Sequence, residues 1–144
     1  MKNLQQLKLE NQICFPVYAL SREIVSRYRP LLDQLDITYP QYLVLLILWE
    51  HQEQSVSQLG EKLYLDSGTL TPLLKRLEQK KMVTRSRSKE DERIVKIKLT
   101  SEGQSLQKKA ASIPKQLFED MKVPEEELKQ LKTTIEKILT TLNQ

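Results

Sequence analysis

The run "YLVLLILW", Tyr42 to Trp49, constrains this chain more than any other stretch. Every side chain in it is apolar or aromatic, so a helix built from it is apolar nearly all round and belongs at the centre of a fold. It is far too short to cross a bilayer. The rest of the chain must therefore supply the elements that cover it. "DITYPQY" just before it reads as the turn that leads in.

The covering elements are visible as periodic patterns. From about Leu9 to Leu35, the residues Ile13, Val17, Leu20, Ile24, Tyr28, Leu31 and Leu35 repeat at helical spacing. Pro16 lies near the start of that helix, where a missing N–H matters least, and Pro30 inside it predicts a kink or a break. "SVSQLGEKLYL" predicts a short third helix, with Ser55 and Gln58 as a capping box and Val56, Leu59 and Leu63 inward. In "DSGTLTPLLKRLEQKK", Asp66 is the expected N-cap and Leu70, Leu73, Leu74 and Leu77 the inward face.

From Met82 the period changes. Val95, Ile97 and Leu99 alternate with Ile94, Lys96 and Lys98, so "MVTRSRS" and "RIVKIKLT" read as a β-hairpin around the polar tip "KEDE". Thr100 or Ser101 then caps a further helix through Leu106, Ala110, Ile113, Leu117 and Met121, interrupted by Pro114. Leu128, Leu131, Ile135, Ile138 and Leu142 form a last amphipathic stripe. The expected fold is mainly α with a small β-hairpin: four helices, a hairpin, two helices. With three glycines in 144 residues the chain is poor in loop formers, which suits that reading.

Charge divides the chain. Lys75 to Lys98 holds ten Lys/Arg against four acids, a net +6, whereas the remainder is net −2. A local basic excess is the footprint of a surface that binds a polyanion. One cysteine allows no internal disulfide and fits a reducing compartment. The N-terminus lacks a basic start followed by an apolar run, so no signal peptide is expected and the protein reads as cytoplasmic, without a membrane partner. His51 is the sole histidine, which removes a catalytic triad and a histidine metal cluster. There is no Gly-rich phosphate loop and no metal-spaced cysteine set, so neither cofactor nor metal is expected, and the chain does not read as an enzyme.

A short helix, a turn near Tyr64–Asp66, a second helix and a basic hairpin make a winged helix-turn-helix. The second helix is the expected recognition helix, with Ser67, Gly68, Thr69, Thr71, Pro72, Lys75 and Arg76 outward. Ser and Thr bond base edges or phosphates, Gly68 permits close approach, and Arg76 is the stronger contact. On the wing, Arg93 is expected to enter the minor groove with Asp91 orienting its guanidinium. Arg85 and Arg87 are assigned to phosphates. Such dimers read two-fold related DNA, so a pseudo-palindromic double-stranded operator is expected.

"LDSGTLTPLLKRLE" followed by "RSRSKEDERIVKIKLTSEG" resembles the MarR family of winged-helix regulators, with "DER" and "LT..G" as its signature. "LENQICFPVYALSRE" and "RYRPLLDQLDITYPQYLVLLILWEH" resemble the one-cysteine organic hydroperoxide resistance regulators. The likeness covers nearly the whole chain and is weakest after about Lys115. It implies one MarR-type domain over 1–144, with dimerisation helices at 1–35 and 101–144 flanking a DNA-binding region at 36–100. It also implies a homodimeric repressor of peroxide-resistance genes that leaves DNA when organic hydroperoxide oxidises the cysteine. By this resemblance the reactive residue is Cys14, and the tyrosines that hydrogen-bond its sulfur are Tyr28 and Tyr39. The pattern departs at Pro16, where an aliphatic residue is expected.

The residues add physical terms. Fourteen positions of helix put Cys14 and Tyr28 roughly 21 Å apart, so their meeting in one chain requires a broken helix, and otherwise a second subunit. Phenol donors near the sulfur, with Tyr18 and the apolar Phe15 beside it, favour a thiolate and an organic oxidant. Oxidation gives a sulfenic acid, which without a second cysteine is capped by a small thiol, cyclises onto a backbone nitrogen or oxidises further. Three alternatives stand beside this. Cys14 can simply fill a core, the repressor can answer to a small aromatic ligand, or the chain can be a one-cysteine thiol peroxidase.

Overall fold

The computed structural model describes residues 2–144. Two short 3₁₀ turns, Lys2–Leu7 and Leu9–Asn11, lead into α1 (Cys14–Asp33) and α2 (Tyr39–His51). β1 (Glu53–Ser55), α3 (Val56–Leu63), α4 (Ser67–Gln79), β2 (Val83–Arg87), β3 (Val95–Leu99) and α5 (Ser101–Ala110) follow, then α6 (Ile113–Met121) and α7 (Glu125–Leu142). The chain divides into two compact units, Met1–Ala111 and Ser112–Gln144.

In the first unit α2 is the axis, as its composition requires. Val44, Leu45 and Leu48 are completely buried, Tyr42 nearly so, and α1, α3, α4, β1, β3 and α5 all touch this helix. Leu59 of α3, Leu70, Leu74 and Leu77 of α4, and Val83 and Ile97 of the sheet complete the core. α2 begins with a capping box: the Thr38 hydroxyl accepts from the Gln41 N–H, and the Thr38 N–H donates to the Gln41 side chain at 3.0 Å. Ser55 and Gln58 start α3 in the same way, and Asp66 caps α4 by accepting the Thr69 N–H at 2.7 Å. Thr100, not Ser101, caps α5. Each such cap contributes about 1 kcal/mol.

The hairpin forms where the alternation places it, with Val83 opposite Leu99 and Arg87 opposite Val95. A third strand was not anticipated. β1 pairs antiparallel with β3, Glu53 opposite Lys98 and Ser55 opposite Lys96, giving the order β1-β3-β2. Its three residues, "EQS", carry no apolar alternation, so nothing in the sequence marks them as strand.

Two expectations about the first helix are corrected. It starts at Cys14, not Leu9, because the segment before it turns as 3₁₀. It also runs through Pro30 to Asp33, without the expected break. Pro30 removes one backbone bond near a helix end, and the burial of Leu32 holds the last turn against the core. Only the C-terminal half of α1 is covered: Ile24, Tyr28, Leu31 and Leu35 are half-buried, whereas Ile13, Val17 and Leu20 of the same stripe are exposed.

The second unit is a helical pair. The helix expected to run on through Met121 is divided at Ala111–Ser112, and α6 starts with Pro114 in its first turn. Lys122, at φ 52°, closes α6, and Pro124 precedes α7. Glu125, Glu126 and Glu127 in the first turn of α7 suit the helix dipole. No residue of α7 is buried, and Leu131, Ile135, Ile138 and Leu142 remain exposed along one stripe. Among the described residues, no helix is long and apolar enough to cross a membrane.

Leu48→Ala should lower unfolding free energy by about 2–5 kcal/mol, because it opens a cavity in the one helix that every neighbour shares. Urea denaturation followed through Trp49 fluorescence measures it.

Candidate redox and nucleic-acid sites

Cys14 is the first residue of α1 and is exposed, so it fills no core in this chain. Pro16 sits in the same first turn, where backbone N–H groups have no partner inside the helix, and it leaves α1 unbroken. Phe15 and Tyr18 are exposed beside it, and the Arg22 guanidinium stacks 4.6 Å from the Tyr18 ring centre. Cys14, Tyr18 and Arg22 recur every four residues and so share one helix face.

Tyr28 and Tyr39 do come together, away from Cys14 along α1. Their ring centres lie 4.6 Å apart across the α1–α2 corner. Tyr42, the first residue of the central apolar run, joins them at 5.6 Å from Tyr28 and 6.2 Å from Tyr39, and Trp49 follows edge-on at 6.3 Å from Tyr42. The spacing of Tyr39, Tyr42 and Trp49 on one helix face was the available signal for this row. Burial, with the neighbouring Tyr39 and Tyr42, pushes the Tyr28 phenol up to about 12. Burial also raises Tyr39 and Tyr42 above the usual phenol value. All three therefore stay protonated at neutral pH and keep an O–H to donate.

α3 is closed by Tyr64 in the left-handed region (φ 57°), and α4 begins three residues later at Ser67. Ser67, Gly68, Thr69, Lys75 and Arg76 are exposed, as is Pro72. Thr71 departs from the outward set: it is half-buried, and its hydroxyl donates to the Ser67 carbonyl at 2.7 Å, so its proton is already used. The Thr69 N–H holds the Asp66 carboxyl below the usual carboxylate range.

The wing tip is ordered by its own polar groups. Arg93 meets Asp91 in a two-pronged pair, Nε to Oδ1 and an Nη to Oδ2, each 3.0 Å, and its backbone N–H also reaches Oδ1. The Arg93 side chain is 90% exposed, so its fork is oriented while its outer edge stays free. The same bonds hold the Asp91 carboxyl below its ordinary value. The Ser88 hydroxyl accepts the N–H groups of Glu90 and Asp91 and so shapes the tip. Arg87 is bound to the Glu92 carbonyl at 2.9 Å and closes the hairpin. Arg85 is half-buried, and its Nε is shielded from solvent with no partner among the described residues.

A recognition-type helix at the surface, a turn before it and an arginine-tipped hairpin after it define a winged-helix regulator of transcription. The family model for the transcriptional regulator SarA/Rot matches residues 26–110. The organic hydroperoxide resistance transcriptional regulator of Bacillus subtilis (strain 168) is 56% identical over 138 residues, 96% of this chain and 94% of that one. Reduced AbfR bound to DNA is similar at 41% identity over 100% of both chains, with a TM-score of 0.78. The disulfide-formed AbfR is similar at 39% identity over 96% of this chain and 97% of that one, with a TM-score of 0.64. The chain belongs to the MarR family of winged-helix transcriptional regulators, and within it to the organic hydroperoxide resistance regulators. Its relatives are regulators rather than enzymes.

The raised Tyr28 phenol makes a pH prediction. Between pH 10 and about pH 12 the folded protein keeps a proton that the unfolded chain has released, so the contribution to stability is full below pH 10 and is lost across that window. Spectrophotometric titration of tyrosinate should show ionisation extending to the top of the window, and Tyr28→Phe should reduce the amplitude there.

Proposed function

We propose that the protein is a homodimeric repressor that holds a pseudo-palindromic operator while Cys14 is reduced and leaves it when an organic hydroperoxide oxidises that sulfur. The observation that carries this reading is the exposed, sole cysteine at the start of an unbroken α1, in a chain whose other face is a winged helix. Because α1 is continuous, Tyr28 lies roughly 21 Å along the helix from Cys14. The phenols of Tyr28 and Tyr39 therefore serve the sulfur of a second subunit. Exposed Val17 and Leu20 on α1, with Ile13 just before it, and separately the bare stripe of α7, are apolar surfaces that such a dimer buries.

Chemically, the Cys14 thiolate attacks the terminal peroxide oxygen. The O–O bond breaks as the S–O bond forms, and the alkoxide leaves and takes a proton to become the alcohol. The sulfur is oxidised to the sulfenic acid and the peroxide is reduced. A small thiol then condenses with the sulfenic acid to a mixed disulfide and releases water.

On DNA, Ser67, Gly68 and Thr69 at the start of α4 approach the major groove, with Lys75 and Arg76 as cationic contacts further along. Arg93, oriented by Asp91, enters the minor groove of each half-site. A second reading keeps the DNA binding but has the repressor answer to a small aromatic acid. It is favoured by a cavity of ≈ 240 Å³ lined by Val25, Arg29, Leu32, Asp33, Ile37, Thr38, Tyr39 and Pro40, in which Arg29 is the one cation available to a carboxylate and Asp33 stands against it.

Anisotropy with an operator fragment, at stated salt, separates these. Organic hydroperoxide with a small thiol should release wild type and leave Cys14→Ser bound; if both stay bound, the ligand reading becomes the better one, and release of both points to a target other than this sulfur. Arg93→Ala should weaken reduced-state binding about tenfold or more and flatten its salt dependence.

A further inference from the structure

Two helix ends in the first unit close with the same backbone device. At the end of α1, the Ile37 N–H bonds the Leu32 carbonyl at 3.2 Å and the Asp36 N–H bonds the Asp33 carbonyl at 3.1 Å, with Asp36 at φ 56°. At the end of α4, the Met82 N–H bonds Leu77 at 3.0 Å and the Lys81 N–H bonds Glu78 at 2.9 Å, with Lys81 at φ 64°. Both are Schellman closures whose left-handed residue is not glycine. A single side chain joins them. Lys80, at the C-cap of α4, donates from Nζ to the backbone carbonyl of Asp36. The Asp36 carboxylate stands farther off, at 3.7 Å, and is 88% exposed, so the carbonyl is the anchor.

The same end of α4 is gripped from its other side. The Thr100 hydroxyl donates to the Lys81 carbonyl at 2.6 Å, and the Thr100 N–H donates to the Met82 carbonyl at 3.1 Å. The last turn of α4 is thus held between the α1–α2 turn and the start of α5. Its first turn, which carries Ser67, Gly68 and Thr69, is exposed. Over the 13 residues of α4, about 20 Å, a tilt of roughly 3° about its last turn moves Ser67 by about 1 Å, with Leu70 still seated in the core.

What lies on the far side of the Lys80 bond gives it a role. Asp36 is three residues from Tyr39, and Thr38 between them is locked to Gln41 by the capping box. Tyr28 packs on Tyr39 at 4.6 Å. A displacement of this pair therefore reaches Asp36 through a short turn fixed at both ends, and reaches α4 through Lys80. We propose that Lys80 is a positioning residue: it transmits the state of the tyrosine pair to the tilt of α4 without touching the sulfur, its ammonium being taken by the Asp36 carbonyl. The proposal rests on the reading that α4 meets DNA and that the tyrosines serve the sensor.

Lys80→Met keeps the aliphatic stem and removes the donor. In full-length protein on an operator fragment at fixed salt, reduced K80M should bind like wild type, and its Cys14 should be oxidised at the wild-type rate. The ratio of oxidised to reduced Kd should shrink by about tenfold. Lys80→Arg should restore the ratio because its fork can reach the carbonyl, and Asp36→Asn should behave as wild type. Without peroxide, Lys80→Met and Tyr39→Ala should be non-additive in reduced-state Kd by about fivefold. An unchanged ratio in K80M overturns the proposal. So does an equal loss in both redox states, which marks a DNA contact or a general defect, and so does a failure of K80R to rescue. If wild type itself is not released by peroxide, the sensor reading falls, and the double-mutant cycle alone judges the link: additivity overturns it.

Discussion

The burial of α2 is the constraint on which the rest of the first unit depends. A helix with Val44, Leu45 and Leu48 fully inside has no face to give to water, so it must be covered on every side. α1, α3, α4, β3 and α5 each contribute their apolar stripe to that cover. None of them is apolar enough to be stable in isolation, and their helical state is secured by this shared contact rather than by propensity.

This arrangement brings two distant pieces of chemistry onto one helix. Near its N-terminal end α2 presents Tyr39 and Tyr42 to Tyr28 of α1. Towards its C-terminal end the Trp49 indole N–H donates to the Gly103 carbonyl at 2.9 Å, tying α2 to α5. Gly103 is needed at this crossing, because a Cβ there would run into the Met82 carbonyl that follows the end of α4. The aromatic row and α4 are therefore both packed against α2, the shared axis of the first unit.

Much of this was legible along the chain because it is local. The capping boxes at Thr38–Gln41 and Ser55–Gln58 and the Asp66 cap involve residues three apart, and a side chain can only reach its own helix start. Residues at Thr38 and Gln41 were read merely as a turn, yet the bonds they make are of the same short-range kind. The wing was legible because alternation from Val95 to Leu99 admits one face only. β1 was not legible, since three polar residues become strand by meeting β3, and that meeting is a tertiary event. Pro30 misled for the same reason: a proline near a helix end costs one bond, and the burial of Leu32 outweighs it. Thr71 was placed among the outward positions of its helix and Arg85 was assigned to phosphate, but the depth to which each sinks depends on neighbours that no local pattern names.

The sequence by itself determined the class of protein: one run that must be central, helices that must surround it, a basic hairpin beside a capped surface helix, and a single thiol outside that pattern. Apolar period, cap and charge are properties of a few neighbouring residues, so they survive in one dimension. Only the tertiary structure decided which tyrosines stack, that Cys14 stays exposed at the start of an unbroken helix, and that Lys80 of α4 meets the carbonyl of Asp36. Those contacts join residues far apart in the chain, and their geometry is set by how the helices close around α2, which no local pattern encodes.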